Sequence, residues 1–213
     1  MVALSDTSAE FALRDPDVQL MLRVRADEPG AFEELVARFQ ERLLSVLHHL
    51  VGDQQEAEDL AQEVFLRVYR ARKDYHPQAR FSTWLFTIAH HLASNALRRR
   101  RRKPTVPLRL DDSGPLGIWS IGQALCDRQP APEQKLAGHE LAAVVRQALD
   151  QLNDRQRLAV ILNKFEDLSY QEIAEIMGTT SKAVKSLLSR ARTQLRDLLR
   201  DYLLPPDKDG STR

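Results

Sequence analysis

The amino-acid sequence predicts an all-α protein made of two helical domains joined by a flexible linker. Apolar residues recur at helical spacing along almost every patterned segment, and no segment shows the strict alternation of a half-buried strand. Between Pro104 and Glu133 this periodicity stops, and five prolines and three glycines interrupt the chain. With 213 residues, 43% of them hydrophobic, the chain is long enough for two cores of modest size.

Two helices with clear start and stop signals are predicted early in the first domain. The segment from Ala31 to Val51 carries its apolar residues on one stripe, and Gly52 ends it. Asp53 is placed to cap a second helix that runs to about Arg72. The predicted core stripe of this second helix contains Ala57, Leu60, Ala61, Val64, Phe65 and Val68.

A third helix is predicted after a turn at HPQA, residues 76 to 79, and is expected to begin at Ser82 or Thr83. It lies within FSTWLFTIAHHLASNALRRRRRK, which ends in six consecutive basic residues and contains no Asp or Glu. Its predicted core stripe contains Leu85, Ile88, Ala89, Leu92 and Ala96.

The second domain is predicted to begin with two helices, near Leu136 to Leu152 and from Asn153 to Phe165. In the following LSYQEIAEIMG, Ser169 and Glu172 have capping-box spacing, and Gly178 ends a short helix.

A longer cationic helix then starts, capped by Thr180 or Ser181. Its predicted inward residues are Val184, Leu187, Leu188, Ala191, Leu195 and Leu198. A short helix, a turn that begins with glycine and a longer basic helix match the helix-turn-helix template.

These signals divide the chain into five segments. They are an N-terminal extension with the start of the first helix (1–30), the first domain (31–103), the linker (104–133), the second domain (134–204) and a disordered tail (205–213).

The net charge of +1 hides a strong segregation of charge along the chain. The segment from Glu10 to Asp74 contains 14 acidic and 9 basic residues, whereas the segment from Tyr75 to Leu110 contains 8 basic residues and no acidic one. Such sorting indicates two surfaces with two different partners.

The acidic surface is predicted on the helix from Asp53 to Arg72, opposite its core stripe. Its residues recur at helical spacing and include an exposed leucine: Asp59, Gln62, Glu63 and Leu66. Acidic and apolar groups do not suit DNA, but they suit a basic helical surface on a protein partner. A plain solvated face is the alternative.

The basic surface is predicted on the third helix, whose outward stripe is polar for three turns and then cationic. Its candidate nucleic-acid contacts are Phe81, Trp84, Thr87, His91, Asn95, Arg98, Arg99 and Arg102. The two aromatic rings are candidates for stacking on unpaired bases, with burial in the core as the alternative. About three of the basic residues can reach phosphates together, which gives a salt slope of roughly −3.

A second nucleic-acid surface is predicted on the longer helix of the helix-turn-helix. Its exposed side chains suit phosphates and base edges in the major groove: Lys182, Lys185, Ser186, Ser189, Arg190 and Arg192. An ordinary helical hairpin with a solvated basic face is the alternative.

The sequence argues against an enzyme and predicts no catalytic residue, cofactor or metal site. It has no phosphate-cradling glycine loop, a single cysteine, Cys126, and adjacent histidine pairs that point to different helix faces. No signal peptide or membrane-spanning run is evident, so we expect a cytoplasmic protein without membrane insertion. A stand-alone helix-turn-helix transcriptional regulator is the competing class.

Two blocks of sequence resemble one known family when they are taken together. DQQEAEDLAQEVFLRVYR with FSTWLFTIAHHLASNALRRRRR forms the first block, and LNDRQRLAVILNKFEDLSYQEIAEIMG with KAVKSLLSRARTQLRDLL forms the second. In this order and spacing they resemble the extracytoplasmic-function (ECF) sigma factors of bacterial RNA polymerase, with sigma region 2 in the first domain and sigma region 4 in the second.

The resemblance implies a role for each surface. The acidic face would bind the β′ coiled coil of core polymerase, whose β′ and β subunits would be partners together with promoter DNA. The loop before Phe81 and the third helix would recognise and open the minus 10 element, which adds Arg80 to the DNA contacts. The helix-turn-helix would read the minus 35 element, and an anti-sigma factor is a further partner expected from the family.

Overall fold

The computed structural model describes residues 14–102, 141 and 143–203, and every regular element in these ranges is a helix. The predicted all-α class is therefore confirmed. By their contacts, the described residues form two compact units, one holding residues 14–102 with 169–180 and the other holding residues 141 and 143–168 with 181–203. The predicted linker (104–133) and tail (205–213) lie outside the described residues.

The first unit opens with helix α1 (Pro16–Arg25) and helix α2 (Ala31–Val51). Asp15 caps α1 by accepting a 2.9 Å hydrogen bond from the Asp17 backbone N–H, and Pro16 occupies the first turn. The end of α2 is confirmed, because Gly52 adopts a left-handed φ of 75° there and donates to the His48 carbonyl.

Helix α3 (Gln54–Ala71) is capped as the sequence predicts, since Asp53 Oδ1 accepts the Glu56 backbone N–H at 2.7 Å. All six predicted core residues of α3 are buried. A short 3₁₀ turn (Arg72–Asp74) follows α3.

Helix α4 (Phe81–Arg102) starts one or two residues before the predicted position, and α1, α2 and α3 are among the helices that pack against it. Since it is contacted from several sides, its buried face is wider than one stripe and also includes Phe86 and Ala93. The prediction that Phe81 offers a face to unpaired bases is wrong in this structure. Its ring is 0% exposed and meets Phe39 edge-on at 5.0 Å.

In the second unit, residues 143–150 are helical and helix α5 (Asp154–Lys164) follows, capped by a box between Asn153 and Gln156. Arg157, on α5, donates to the carbonyl oxygens of Leu149 and Asp150 at 3.1 and 2.9 Å. This arginine therefore satisfies the end of the preceding helical segment.

Helix α6 (Tyr170–Ile176) carries the predicted capping box between Ser169 and Glu172, which is confirmed. Gly178 then turns the chain with a φ of 59°.

Helix α7 (Ser181–Leu198) packs against α5 through Val184, Leu188 and Ala191, and helix α8 (Arg200–Leu203) follows it. The prediction that Leu198 faces inward is wrong, because it is 45% exposed at the last turn of α7.

Candidate protein and nucleic-acid interfaces

Four predicted side chains follow one outward line along α3, and we call them the docking stripe: Asp59, Gln62, Glu63 and Leu66. Asp59 and Gln62 are exposed, Glu63 is half-buried, and Leu66 is 48% exposed. Glu63 Oε1 accepts a 2.8 Å hydrogen bond from Arg67 Nε, one turn later on the same helix. An exposed leucine that follows acidic groups along the helix can bind an apolar and basic partner surface.

Tyr69 extends this surface, and sequence reasoning did not single it out. It is 43% exposed and lies one turn after Leu66 on α3. Its ring packs against Phe32 at a centroid distance of 4.9 Å and against the Arg72 guanidinium at 3.9 Å. The i, i+3 spacing from Leu66 is the sequence signal that points to it.

An aromatic cluster anchors the start of α4. Tyr75 is 4% exposed, and its ring lies 4.9 Å from Trp84 and 6.3 Å from Phe81. Trp84 is half-buried, so part of its indole is open to solvent. Burial raises the pKa of the Tyr75 phenol to about 12, with a further contribution from the charge of Asp15.

The loop of residues 76–80 connects this cluster to α4. His76, Gln78 and Arg80 are exposed along it. Arg80 Nε lies 3.4 Å from the Glu172 carboxylate, whereas the side chains of His76 and Gln78 are available to a ligand near Trp84.

The outward stripe of α4 differs in accessibility along its length. Thr87 is half-buried, and its hydroxyl donates to the Thr83 carbonyl at 2.7 Å. His91, Asn95 and Arg98 are exposed. The neutral hydrogen-bonding groups thus lie next to the cationic end of the same helix, as the sequence predicts.

The arginine block at the end of α4, Arg98 to Arg102, is exposed, and at least two of its members also make contacts within the fold. Arg99 lies 3.9 Å from Glu56 but its side chain is 76% exposed. Arg100 donates from Nη1 to the Val51 carbonyl at 3.1 Å and so satisfies the end of α2. The members of the block therefore do not all have the same role.

The basic face of α7 is exposed to solvent. The six side chains predicted for it are exposed: Lys182, Lys185, Ser186, Ser189, Arg190 and Arg192. The buried residues Val184, Leu188 and Ala191 hold the opposite side of the helix. The face combines hydroxyl donors with four cations, a chemistry suited to phosphates and base edges.

None of the helices in the described part of the chain is both long and apolar enough to cross a membrane. Within residues 14–102, 141 and 143–203, no three His, Cys, Asp or Glu side chains form a group that could hold a metal ion.

Comparison with known families gives two matches along the chain. Residues 35–103 match the family described as Sigma-70 region 2, and residues 142–195 match the family described as Sigma-70, region 4. The first match covers the docking stripe and α4, and the second covers α5, α6 and most of α7.

Similar proteins extend this likeness over most of the chain. The RNA polymerase sigma-H factor of Pseudomonas aeruginosa is 35% identical over 191 residues, covering 89% of this chain and 97% of that protein. The ECF RNA polymerase sigma factor SigW of Bacillus subtilis is 31% identical over 179 residues, covering 84% of this chain and 94% of that protein.

Two solved structures share the fold. CnrH in complex with the cytosolic domain of CnrY gives a TM-score of 0.63 at 23% identity, covering 87% of this chain and 98% of that one. The sigma factor RpoE in complex with the anti-sigma factor NepR, from Bartonella quintana, gives 0.61 at 23% identity, covering 80% and 98%. At this identity the likeness is one of fold alone.

Proposed function

The chain belongs to the ECF sigma factors of the sigma-70 family, and we propose how its surfaces divide the work of promoter recognition and transcription initiation. Both regions that characterise such a sigma factor are present, in the family's order. The protein is thus an RNA polymerase sigma factor, and the assignments below concern which residues bind which partner.

The docking stripe binds core polymerase in this proposal, through a basic helical surface on the β′ subunit. The observation that carries the assignment is the 48% exposure of Leu66, which follows the acidic groups of Asp59 and Glu63 along a helix whose other face is packed. An exposed apolar anchor surrounded by charge is the composition of an interface core with a polar rim. Tyr69 adds a second anchor to the same surface.

The loop of residues 76–80, which we call the promoter loop, and α4 act on the minus 10 element. Trp84 is only half-buried and lies beside this loop, which ends at Arg80, so a displaced base can stack on the exposed part of its ring. Thr87, His91 and Asn95 supply hydrogen bonds, and Arg98, Arg99 and Arg102 supply charge for phosphates. Since Phe81 is buried, it holds this surface in place and does not bind DNA.

The exposed face of α7 reads the minus 35 element in the major groove. Lys185, Ser186, Ser189 and Arg190 occupy the central turns of this face, and Lys182 and Arg192 flank them. Cations at the flanks suit phosphates, whereas the central serines and Arg190 suit base edges.

Residues 104–133 serve as the linker between regions 2 and 4. We place the protein in the cytoplasm, where it would bind core polymerase.

An anti-sigma factor is a further proposed partner. The two solved structures similar in fold each hold a sigma-like chain bound to another protein, named an anti-sigma factor in the case of NepR. An inhibitor that covers Leu66 and Tyr69 would exclude core polymerase, since both partners need the same exposed apolar groups.

The rival function is a stand-alone helix-turn-helix regulator, and one binding experiment separates the two. The purified chain, with and without core polymerase, is added to a random library of duplex DNA at physiological salt. A sigma factor enriches promoters only when core polymerase is present, because neither DNA-binding surface alone offsets the free-energy cost of separating the DNA strands. Enrichment by the chain alone, without association with core, would favour the regulator.

A further inference from the structure

The turn between α1 and α2 contains an unusual backbone position. Asp27 adopts a left-handed φ of 55°, a region disfavoured for residues that carry a Cβ. Gly30, three residues later, adopts a φ of 80° without that penalty. Aspartate adopts this region more readily than most residues that carry a Cβ, and here its carboxylate makes contacts with residues far along the chain.

The carboxylate of Asp27 joins two consecutive cations from a distant part of the chain. Its Oδ1 accepts a 2.9 Å hydrogen bond from Arg72 Nε, and its Oδ2 contacts Lys73 Nζ. The hydrogen bonds from Lys73 and Arg72 lower the pKa of Asp27 and so favour the charged form that both cations contact. This ties the α1–α2 turn to the 3₁₀ turn that follows α3.

Backbone contacts strengthen the same junction. Lys73 Nζ donates to the Arg25 carbonyl at 2.9 Å, and Arg25 Nη1 donates to the Tyr75 carbonyl at 3.1 Å. We call the four residues Arg25, Asp27, Arg72 and Lys73 the corner clamp. Its last contact lies at the residue immediately before the promoter loop.

The corner clamp also touches the end of the docking surface. Arg72 stacks on the Tyr69 ring at 3.9 Å and donates to the Tyr69 carbonyl at 2.9 Å. Its side chain is only 20% exposed, whereas those of Asp27 and Lys73 are about half exposed. Arg72 is therefore the fixed member around which the other contacts assemble.

We propose that the corner clamp positions the promoter loop, so that Arg25, Asp27, Arg72 and Lys73 are positioning residues for capture of the melted promoter strand. The proposal rests on the function proposed above for the loop. The Tyr75 ring is held by Phe81 and Trp84, and its carbonyl is held by Arg25, so the loop starts from a fixed point. A loop fixed at both ends loses less conformational entropy when it binds a base.

The energetics favour a role for the corner clamp in positioning the promoter loop over a role in stabilising the fold. Ion pairs between exposed side chains contribute little to global stability. Removing the Asp27 carboxylate also relieves an unfavourable φ when glycine takes its place. Asp27→Gly is therefore expected to fold normally while leaving the loop less well placed.

The test compares Asp27→Gly with a matched control, Glu28→Ala. Glu28 is the next residue, and its ion pair with Arg23 at 2.8 Å is also exposed but does not reach the loop. Each variant is assembled with core polymerase and titrated with a labelled single strand. The strand is the nontemplate strand of a promoter that the wild-type holoenzyme selects from a random library.

We expect Asp27→Gly to bind the single strand about 3- to 10-fold more weakly, with core affinity and melting temperature unchanged. Arg25→Ala should show the same defect, Glu28→Ala none, and Asp27→Asn an intermediate one. Asparagine tolerates the left-handed backbone and keeps an oxygen acceptor.

Wild-type single-strand affinity in both Asp27→Gly and Arg25→Ala would overturn the clamp while leaving the loop's function intact. Parallel losses of core affinity and single-strand affinity would also overturn it, since they would indicate a general structural role. If the wild-type holoenzyme itself fails to bind the single strand, the proposed function of the loop fails, and the clamp fails with it.

Discussion

Arg100 donates from Nη1 to the carbonyl oxygen of Val51 at 3.1 Å. The bond joins the last turns of α4 and α2, where α2 has carbonyl groups without partners inside the helix. A run of like charges that looks uniform in sequence therefore contains at least two roles. Arg98, Arg99 and Arg102 are exposed and are the members suited to phosphates.

The first prediction separates these roles by salt dependence. Replacing Arg98 and Arg102 by alanine should weaken holoenzyme binding to duplex promoter DNA and reduce the log-log salt slope by about 2, because two phosphate contacts are lost. Arg100→Ala should leave the slope unchanged and lower the free energy of unfolding by about 0.5 to 1 kcal/mol. Equal salt slopes for the double variant and the wild type would contradict the proposed phosphate contacts of Arg98 and Arg102.

The second prediction separates the two aromatic residues at the start of α4. Phe81→Ala should lower the free energy of unfolding by about 3 to 5 kcal/mol, because a fully buried ring leaves a cavity. Trp84→Ala should weaken binding of a single-stranded promoter oligonucleotide to the holoenzyme by about 5-fold or more, since stacking on one base is lost. A Trp84→Ala holoenzyme with unchanged single-strand affinity would contradict the proposed base contact.

The third prediction concerns Tyr75, whose buried hydroxyl has no hydrogen-bond partner among the residues that the structure describes. Tyr75→Phe should be neutral or raise the free energy of unfolding by up to about 1 kcal/mol at neutral pH, because an unsatisfied buried polar group is removed. Urea unfolding at about pH 8 measures this difference. A loss of more than about 1 kcal/mol would show that the hydroxyl stabilises the fold.

Tyr75 should also make the free energy of unfolding fall at high pH, because its pKa is higher in the folded chain than in the unfolded one. The folded phenol titrates at about 12, whereas an unfolded tyrosine titrates near 10. Between these values the unfolded chain releases a proton that the folded chain keeps, so the contribution is full below about pH 10 and is lost as the pH rises toward 12. Tyr75→Phe should abolish this component, and an unaltered pH profile would argue against it.

Local signals in the sequence were sufficient to predict where helices end and which face is buried in a helix that packs on one side. Asp53 and Ser169 cap their helices because the hydrogen bonds involved span three residues. The core of α3 follows the predicted stripe because α3 has one packed side. The exposure of Leu66 follows from the same periodicity.

These local signals do not predict contacts between residues that lie far apart in the sequence. Phe81 is buried because Phe39, which lies 42 positions earlier, meets its ring, and no local pattern contains that pairing. The corner clamp joins Asp27 to Arg72 across 45 residues. Leu198 fits the apolar stripe of α7, but the stripe continues beyond the part of the helix that α5 covers.

The central claim is that the docking stripe holds core polymerase, and the affinity of Glu63→Lys for core measures it most directly. Glu58→Lys, on the same helix about a quarter-turn away from the centre of the stripe, is the control of matched charge change. The fold should survive in both variants, because Glu63 contributes only a surface pair with Arg67. We predict that Glu63→Lys binds core at least about 10-fold more weakly while Glu58→Lys binds within about 2-fold of wild type. Wild-type affinity in Glu63→Lys, with circular dichroism unchanged, would contradict the account.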